Sequence, residues 1–201
     1  MTIYIVRHGE TAGNASGVVQ FPDTPLNERG LEQAEAVGRR LANAGIVRVL
    51  TSDYARAQRT AQAISAQAGV PLEIEEGLRE RNFGDLRGRP RSEVGPLMHA
   101  ESFCPPNGES WPVFHDRVET AWKVVARTAS AIPGHLAVVT HGLVCYSLVH
   151  RQLRLAPDMA PISGFANTSV TVVDSDPPFR VSVLNCCAHL DERTAPRGAA
   201  L

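Results

Sequence analysis

The stretch TIYIVRHGETAGN, Thr2 to Asn14, is an apolar run that breaks off into Arg-His-Gly and a short polar turn. Ile3, Tyr4, Ile5 and Val6 are good strand formers, and a run without alternation predicts a strand buried on both faces. Arg7 and His8 then emerge at its C-terminal end. In open α/β sheets that edge is where ligands bind, because exposed loops there are carried by rigid strands. Gly9 removes a Cβ just after His8 and so leaves room for an anion to approach the backbone. His8 reads as a nucleophile and Arg7 as its anion clamp. The competing reading is a polar strand end that only aids solubility, and the rest of the chain weighs between them.

Downstream, Ala15 to Leu26 carries Gly17, Pro22, Asp23 and Pro25 and reads as a loop. Asn27 is a candidate N-cap for a helix with Leu31, Ala34, Val37 and Leu41 as its apolar stripe, stopped by Asn43 and Gly45. Val47 to Leu50 reads as a second strand. Thr51-Ser52-Asp53 looks like the start of the next helix, with Ala57, Ala61, Ile64 and Ala68 buried and Gly69 closing it. A third strand, Pro71 to Ile74, leads into Gly77-Leu78-Arg79-Glu80. Residues 84–108 hold four Gly and four Pro, which predicts mostly loop or a small cap. A long helix follows from a Ser110 cap, with Phe114, Val118, Ala121, Val125 and Ala129 as its stripe. Leu136 to Thr140 is a fourth buried strand and ends at His141-Gly142, as the first ends at His8-Gly9. Leu143 to Leu153 suits a helix, Ser169 to Val173 and Phe179 to Leu184 suit strands, and Cys186 to Leu201 reads as a frayed tail.

Alternating strands and helices predict an α/β three-layer sandwich: a mostly parallel central sheet, helices on both faces and a short cap insertion. With 201 residues and 43% hydrophobic content, one domain over 1–201 with a cap at about 85–108 is expected rather than two domains. Net charge is −1, so no global attraction to nucleic acid or membrane is expected. No apolar run approaches the roughly 18 residues of a membrane span. Cys104, Cys145, Cys186 and Cys187 show no metal-binding spacing, and no signal peptide is evident, so reduced thiols in a cytoplasm are expected. The cysteines, Trp111 and Trp122 read as packing residues. Oligomeric state is not legible.

Two histidines at strand ends, each followed by Gly and accompanied by arginines, suit phosphoryl transfer through nitrogen. A phosphate dianion needs planar, permanently charged donors around its oxygens, which Arg7 and Arg56 can supply. His8 must then present an unprotonated nitrogen, with its other nitrogen holding a proton against a carbonyl. A protonated His141 would bind phosphate oxygens.

Together, Arg7-His8-Gly9-Glu10-Thr11 with Asn14, Ser52-x-x-x-Arg56-Ala57-x-x-Thr60-Ala61, Leu78-x-Glu80-x-x-Phe83-Gly84 with Gly88, Gly108-Glu109-Ser110 and Thr140-His141-Gly142 resemble the histidine phosphatase superfamily, in its phosphoglycerate mutase-like branch. The likeness covers residues 3 to about 172, where Asn167-Thr168-Ser169 echoes the family's late strand start. It implies His8 as nucleophile, Arg7, Arg56 and His141 as phosphate ligands, Asn14 as a further hydrogen-bond donor, Glu80 as proton donor, and no metal or other cofactor. Glu109 remains a second candidate for the acid. Leu143 stands where the family often has Gly.

Members differ in whether water or a second hydroxyl receives the phosphoryl group. Only residues 89–107 separate Gly88 from Gly108, and a short cap favours a hydrolase. The expectation is a phosphomonoester phosphatase acting on a small phosphorylated metabolite. A 2,3-bisphosphoglycerate-dependent phosphoglycerate mutase and a non-catalytic phospho-ligand-binding protein are the alternatives. Arg87, Arg89 and Arg91, spaced by two, would project to one side of an extended loop and meet a second anionic group on the substrate.

Overall fold

The computed structural model describes residues 1–98, 100, 102–159 and 162–195. Six strands form one sheet: β1 (Thr2–Arg7), β2 (Ile46–Thr51), β3 (Leu72–Ile74), β4 (His135–Thr140), β5 (Val170–Asp174) and β6 (Val181–Cys186). Their order is β3-β2-β4-β1-β5-β6, with β3, β2, β4 and β1 parallel and β5 and β6 antiparallel along one edge. β1 is central, paired on one side through Ile5 with Val138 and on the other through Ile5 with Thr171.

Side-chain alternation along the central strands feeds two cores. Ile3, Ile5, Leu136 and Val138 face α5 (Trp111–Ala131) and α6 (Gly142–Arg151), while Val6, Ala137 and Val139 face α2 (Glu28–Leu41) and α3 (Ala55–Ala68). The mostly parallel sheet with helices on both faces is therefore as expected. Burying each fully enclosed Val, Ile or Leu contributes about 1.5–3 kcal/mol, so the two faces fix β1 and the residues beyond it.

Several local expectations need correcting. Leu31 is exposed, and the buried face of α2 instead carries Gly30, Gln33, Ala34, Val37 and Leu41. Ala68 is only half-buried. Thr51 ends β2 and Ser52 leads the turn, so α3 begins three residues later than its apparent cap and has no side-chain cap. A five-residue helix, α1 (Ala12–Ser16), begins inside the turn after His8, held by a capping box between Thr11 and Asn14. The cap contains α4 (Arg91–Met98) rather than loop alone. The described part of the tail is docked: Gln33 Nε2 donates to the Thr194 carbonyl at 3.0 Å, and Arg29 donates to that of Ala195. Residues 196–201 of that predicted frayed end lie outside the described residues. Among the described residues no helix is long and apolar enough to cross a membrane.

Candidate active site

At the C-terminal end of β1, the backbone is held from two directions. The His8 amide donates to Thr140 O at 2.9 Å, while the Thr168 amide, in a left-handed backbone conformation, donates to Arg7 O at 3.0 Å. Asn167 Nδ2 adds a bond to His8 O at 2.9 Å. The Gly9 amide donates to Thr60 Oγ1 at 3.0 Å. Gly9 has a different use from the one expected. A Cβ there would lie 2.6 Å from Gly30 O, so the missing side chain lets α2 pack on the loop rather than opening space for an anion.

The His8 ring is 2% exposed, and its Nδ1 lies 2.7 Å from Gly9 O. A carbonyl can only accept, so Nδ1 carries the proton. Arg56 Nε donates to His8 Nε2 at 3.3 Å, which requires a lone pair there. Burial, followed by the charges of Arg56 and Arg7, holds the His8 pKa well below 6.5. The imidazole is thus neutral, with its lone pair on the nitrogen nearest the guanidinium.

Arg7 and Arg56 are buried cations whose pKa values are pushed down to about 10, chiefly by burial. The Glu80 carboxylate is the acidic group whose field opposes that shift in both. Such a site favours an arriving anion. Arg7 also donates to Phe165 O, and Arg56 Nη1 to Phe21 O at 2.9 Å, so both forks are oriented by backbone.

His141 is fully buried at the start of α6, with its ring centroid 5.1 Å from that of His8. Its Nε2 lies 2.9 Å from Ser52 Oγ, and its Nδ1 has no hydrogen-bond partner. The pKa of His141 is held well below 6.5 by burial first and then by Arg56, so the ring is neutral in the unliganded protein. Asn14 Oδ1 is taken up by the Thr11 amide at 3.2 Å, and its Nδ2 is buried without a partner. Neither His141 nor Asn14 lines the cavity described next.

That cavity, of about 270 Å³, opens over Arg7, His8 and Arg56 and is walled by Tyr54, Glu80, Arg87, Arg91, Trp111 and Leu143, among others. Glu80 is not tied up by its neighbour Arg79, which pairs with Asp53 at 2.5 Å and Glu76 at 3.0 Å. Its oxygens accept from the amides of Arg81 at 3.0 Å and Leu143 at 3.2 Å. Glu109 is outside this wall and holds Arg117 through two 2.8 Å bonds. Burial alone would raise its pKa, but those bonds and the Asn82 amide bring it below the usual value. The geometry separates the two carboxylates: Glu80 faces the cavity, Glu109 braces α5.

Arg87 and Arg91 reach the cavity; Arg89 does not. The segment is not extended, since a 3-10 turn over Gly84–Leu86 ends at Arg87, Gly88 takes a positive φ, and α4 starts at Arg91. Arg89 instead points outward to Glu93 at 3.3 Å. Arg91 Nη1 and Trp111 Nε1 are buried without hydrogen-bond partners. Trp111 was expected to be packing alone, yet it lines the cavity beneath the Arg81 guanidinium, whose Cζ is 4.0 Å from its ring centroid. Gln33 was not singled out from the sequence; its signal was a lone polar side chain on the buried face of α2.

A model of the histidine phosphatase superfamily (branch 1) matches residues 3–185. The chain belongs to that family. It is similar to phosphoglycerate mutase-like protein 4 of Arabidopsis thaliana, with 35% identity over 94% of this chain and 87% of that protein. Among solved structures, the alpha-ribazole phosphatase from Shigella flexneri superposes with a TM-score of 0.75 at 27% identity, over 92% of this chain and 96% of the other. Phosphoglycerate mutase from Bacillus anthracis str. Sterne superposes with a TM-score of 0.73 at 27% identity, over 86% and 87%.

Proposed function

We propose that the protein is a metal-independent phosphomonoester phosphatase that works through a phosphohistidine on His8. The observation that carries this reading is the state of that ring: neutral, protonated at Nδ1 against Gly9 O, with its Nε2 lone pair beside two buried guanidiniums. In this reading Arg7 and Arg56 hold the phosphate. His141 Nδ1 and Asn14 Nδ2, buried and unpartnered in the unliganded protein, turn to its remaining oxygens. His8 Nε2 attacks phosphorus in line, the bond to the leaving oxygen breaks, and Glu80 delivers the proton that oxygen needs. Water then attacks the phosphohistidine, Glu80 takes its proton, and inorganic phosphate leaves with His8 restored. Positioning and charge account for the rate; no metal step is needed in this scheme.

The substrate we propose is a small phosphate ester whose leaving group meets Trp111 and Leu143 and presents a second anion or strong acceptor to Arg87 and Arg91. Mutase activity is the second reading, favoured by the names of the plant relative and of the Bacillus structure. Incubation with a panel of phosphomonoesters, scored by free phosphate, tests the proposal. Transfer between 2- and 3-phosphoglycerate that requires 2,3-bisphosphoglycerate and releases no phosphate would replace it with the mutase reading. Tight binding with neither reaction would leave only a phospho-ligand-binding role.

A further inference from the structure

We infer that Gln33 is a positioning residue that fixes the tautomer of His8 through the peptide unit between Gly9 and Glu10. That unit is planar and trans, so its C=O and N–H point in opposite directions and cannot be oriented independently. Its carbonyl, Gly9 O, accepts from His8 Nδ1 at 2.7 Å, and its Glu10 amide donates to Gln33 Oε1 at 2.8 Å. The Gln33 side chain is itself fixed, since Nε2 donates to Thr194 O at 3.0 Å. A carbonyl at one end and a guanidinium at the other leave one consistent assignment. Thr194 O accepts from Gln33 Nε2, Gln33 Oε1 from the Glu10 amide, Gly9 O from His8 Nδ1, and His8 Nε2 from Arg56 Nε at 3.3 Å.

Reversing the Gly9–Glu10 unit would aim an N–H at His8 Nδ1. The imidazole would then move its proton to Nε2 and lose the lone pair beside Arg56. Gln33 opposes that reversal. It is 1% exposed, so once its acceptor is removed the Glu10 amide has no water to turn to. The same chain links His8 to the C-terminal segment, since the carbonyl that orients Gln33 belongs to Thr194. The catalytic consequence rests on the reading of His8 as nucleophile; the tautomer does not.

The test uses the 201-residue protein with 15N-labelled histidine and two-bond 15N–1H correlation spectra, with His8 assigned by its loss in His8→Ala. The wild type is expected to show Nδ1–H. Gln33→Met, similar in volume but unable to accept from the Glu10 amide, is expected to show a second His8 population protonated at Nε2. Its kcat should be about tenfold lower with KM little changed, the scale of one lost buried hydrogen bond. Gln33→Glu, whose carboxyl is kept protonated by burial and so both accepts from the Glu10 amide and donates to Thr194 O, should retain Nδ1–H. A chain ending at Arg193 removes the Thr194 carbonyl without touching Gln33 and should also show mixed tautomers, which keeps the test open if Gln33→Met does not fold. Nε2–H in the wild type, or pure Nδ1–H in folded Gln33→Met or in the shortened chain, would overturn the inference. The expected tautomers in a protein that forms no phosphohistidine would leave it standing and defeat the proposed activity instead.

Discussion

Glu80 Oε2 accepts the Leu143 amide hydrogen at 3.2 Å, which ties the cavity-facing carboxylate to the first turn of α6, directly after His141. The proton donor and a phosphate ligand of the proposed reaction are thereby carried by one rigid junction. Glu80→Gln keeps the size of the side chain and one of its two backbone bonds, and removes the proton. Turnover should fall by about 10²- to 10⁴-fold for alkyl phosphates, and much less for aryl phosphates whose leaving groups need little protonation. Glu109→Gln should instead lower stability by about 1–3 kcal/mol, through loss of the Arg117 pair, with the leaving-group dependence intact. If Glu109→Gln shows the leaving-group pattern and Glu80→Gln does not, the two roles are reversed.

The cap arginines separate by geometry. Arg87→Ala and Arg91→Ala should each raise KM for phosphate esters bearing a second carboxylate or phosphate, by about tenfold for one lost charge-assisted hydrogen bond, and leave a neutral-tailed aryl phosphate nearly unchanged. Arg89→Ala should change neither, because its exposed pair with Glu93 contributes little. Equal KM changes for both substrate types would remove the second-anion subsite.

Acid should destabilise the fold early. His8 and His141 are held neutral in the folded state, first by burial and then by Arg56, with pKa values well below 6.5. Once unfolded, each titrates near 6.5, so in the window below that value the unfolded chain binds more protons. Stability therefore rises with pH across the window and falls as pH drops below about 6.5, by up to about 1.4 kcal/mol per pH unit for each histidine. Urea midpoints from pH 7.5 to 5 measure this, and His141→Gln should flatten the slope. A midpoint independent of pH over that range would show that these rings are not held neutral.

Much of the fold is legible because the deciding residues are apolar and periodic. Ile3 to Val6, Leu136 to Thr140 and the stripe from Phe114 to Ala129 each specify an element whose burial the structure then uses on one or both sheet faces. The edges are less legible because their determinants are non-local. Arg89 separates from Arg87 and Arg91 only because Gly88 bends the chain and the Arg91 amide is taken by Gly17 O at 2.7 Å, a contact with no sequence signature. The tail reads as frayed because its partners, Arg29 and Gln33, lie more than 150 residues away. In the site, Arg7 and His8 are neighbours in one motif and Arg56 stands in another, so all three can be read directly. The neutrality of His141 depends on burial that no motif records.

Metal dependence separates this chemistry from metal-assisted hydrolysis. In the scheme above the charge on phosphate is met by Arg7 and Arg56, so exhaustive chelation should leave kcat unchanged within error. Loss of activity with EDTA, restored by one divalent ion, would require a different mechanism.

The central claim is the covalent intermediate. Rapid mixing with a 32P-labelled substrate, quenching in alkali and peptide mapping by mass spectrometry should find phosphate on His8, stable in base and lost in acid, and no adduct in His8→Ala. Label on Ser, Asp or His141, or an adduct that persists in His8→Ala, would contradict the account.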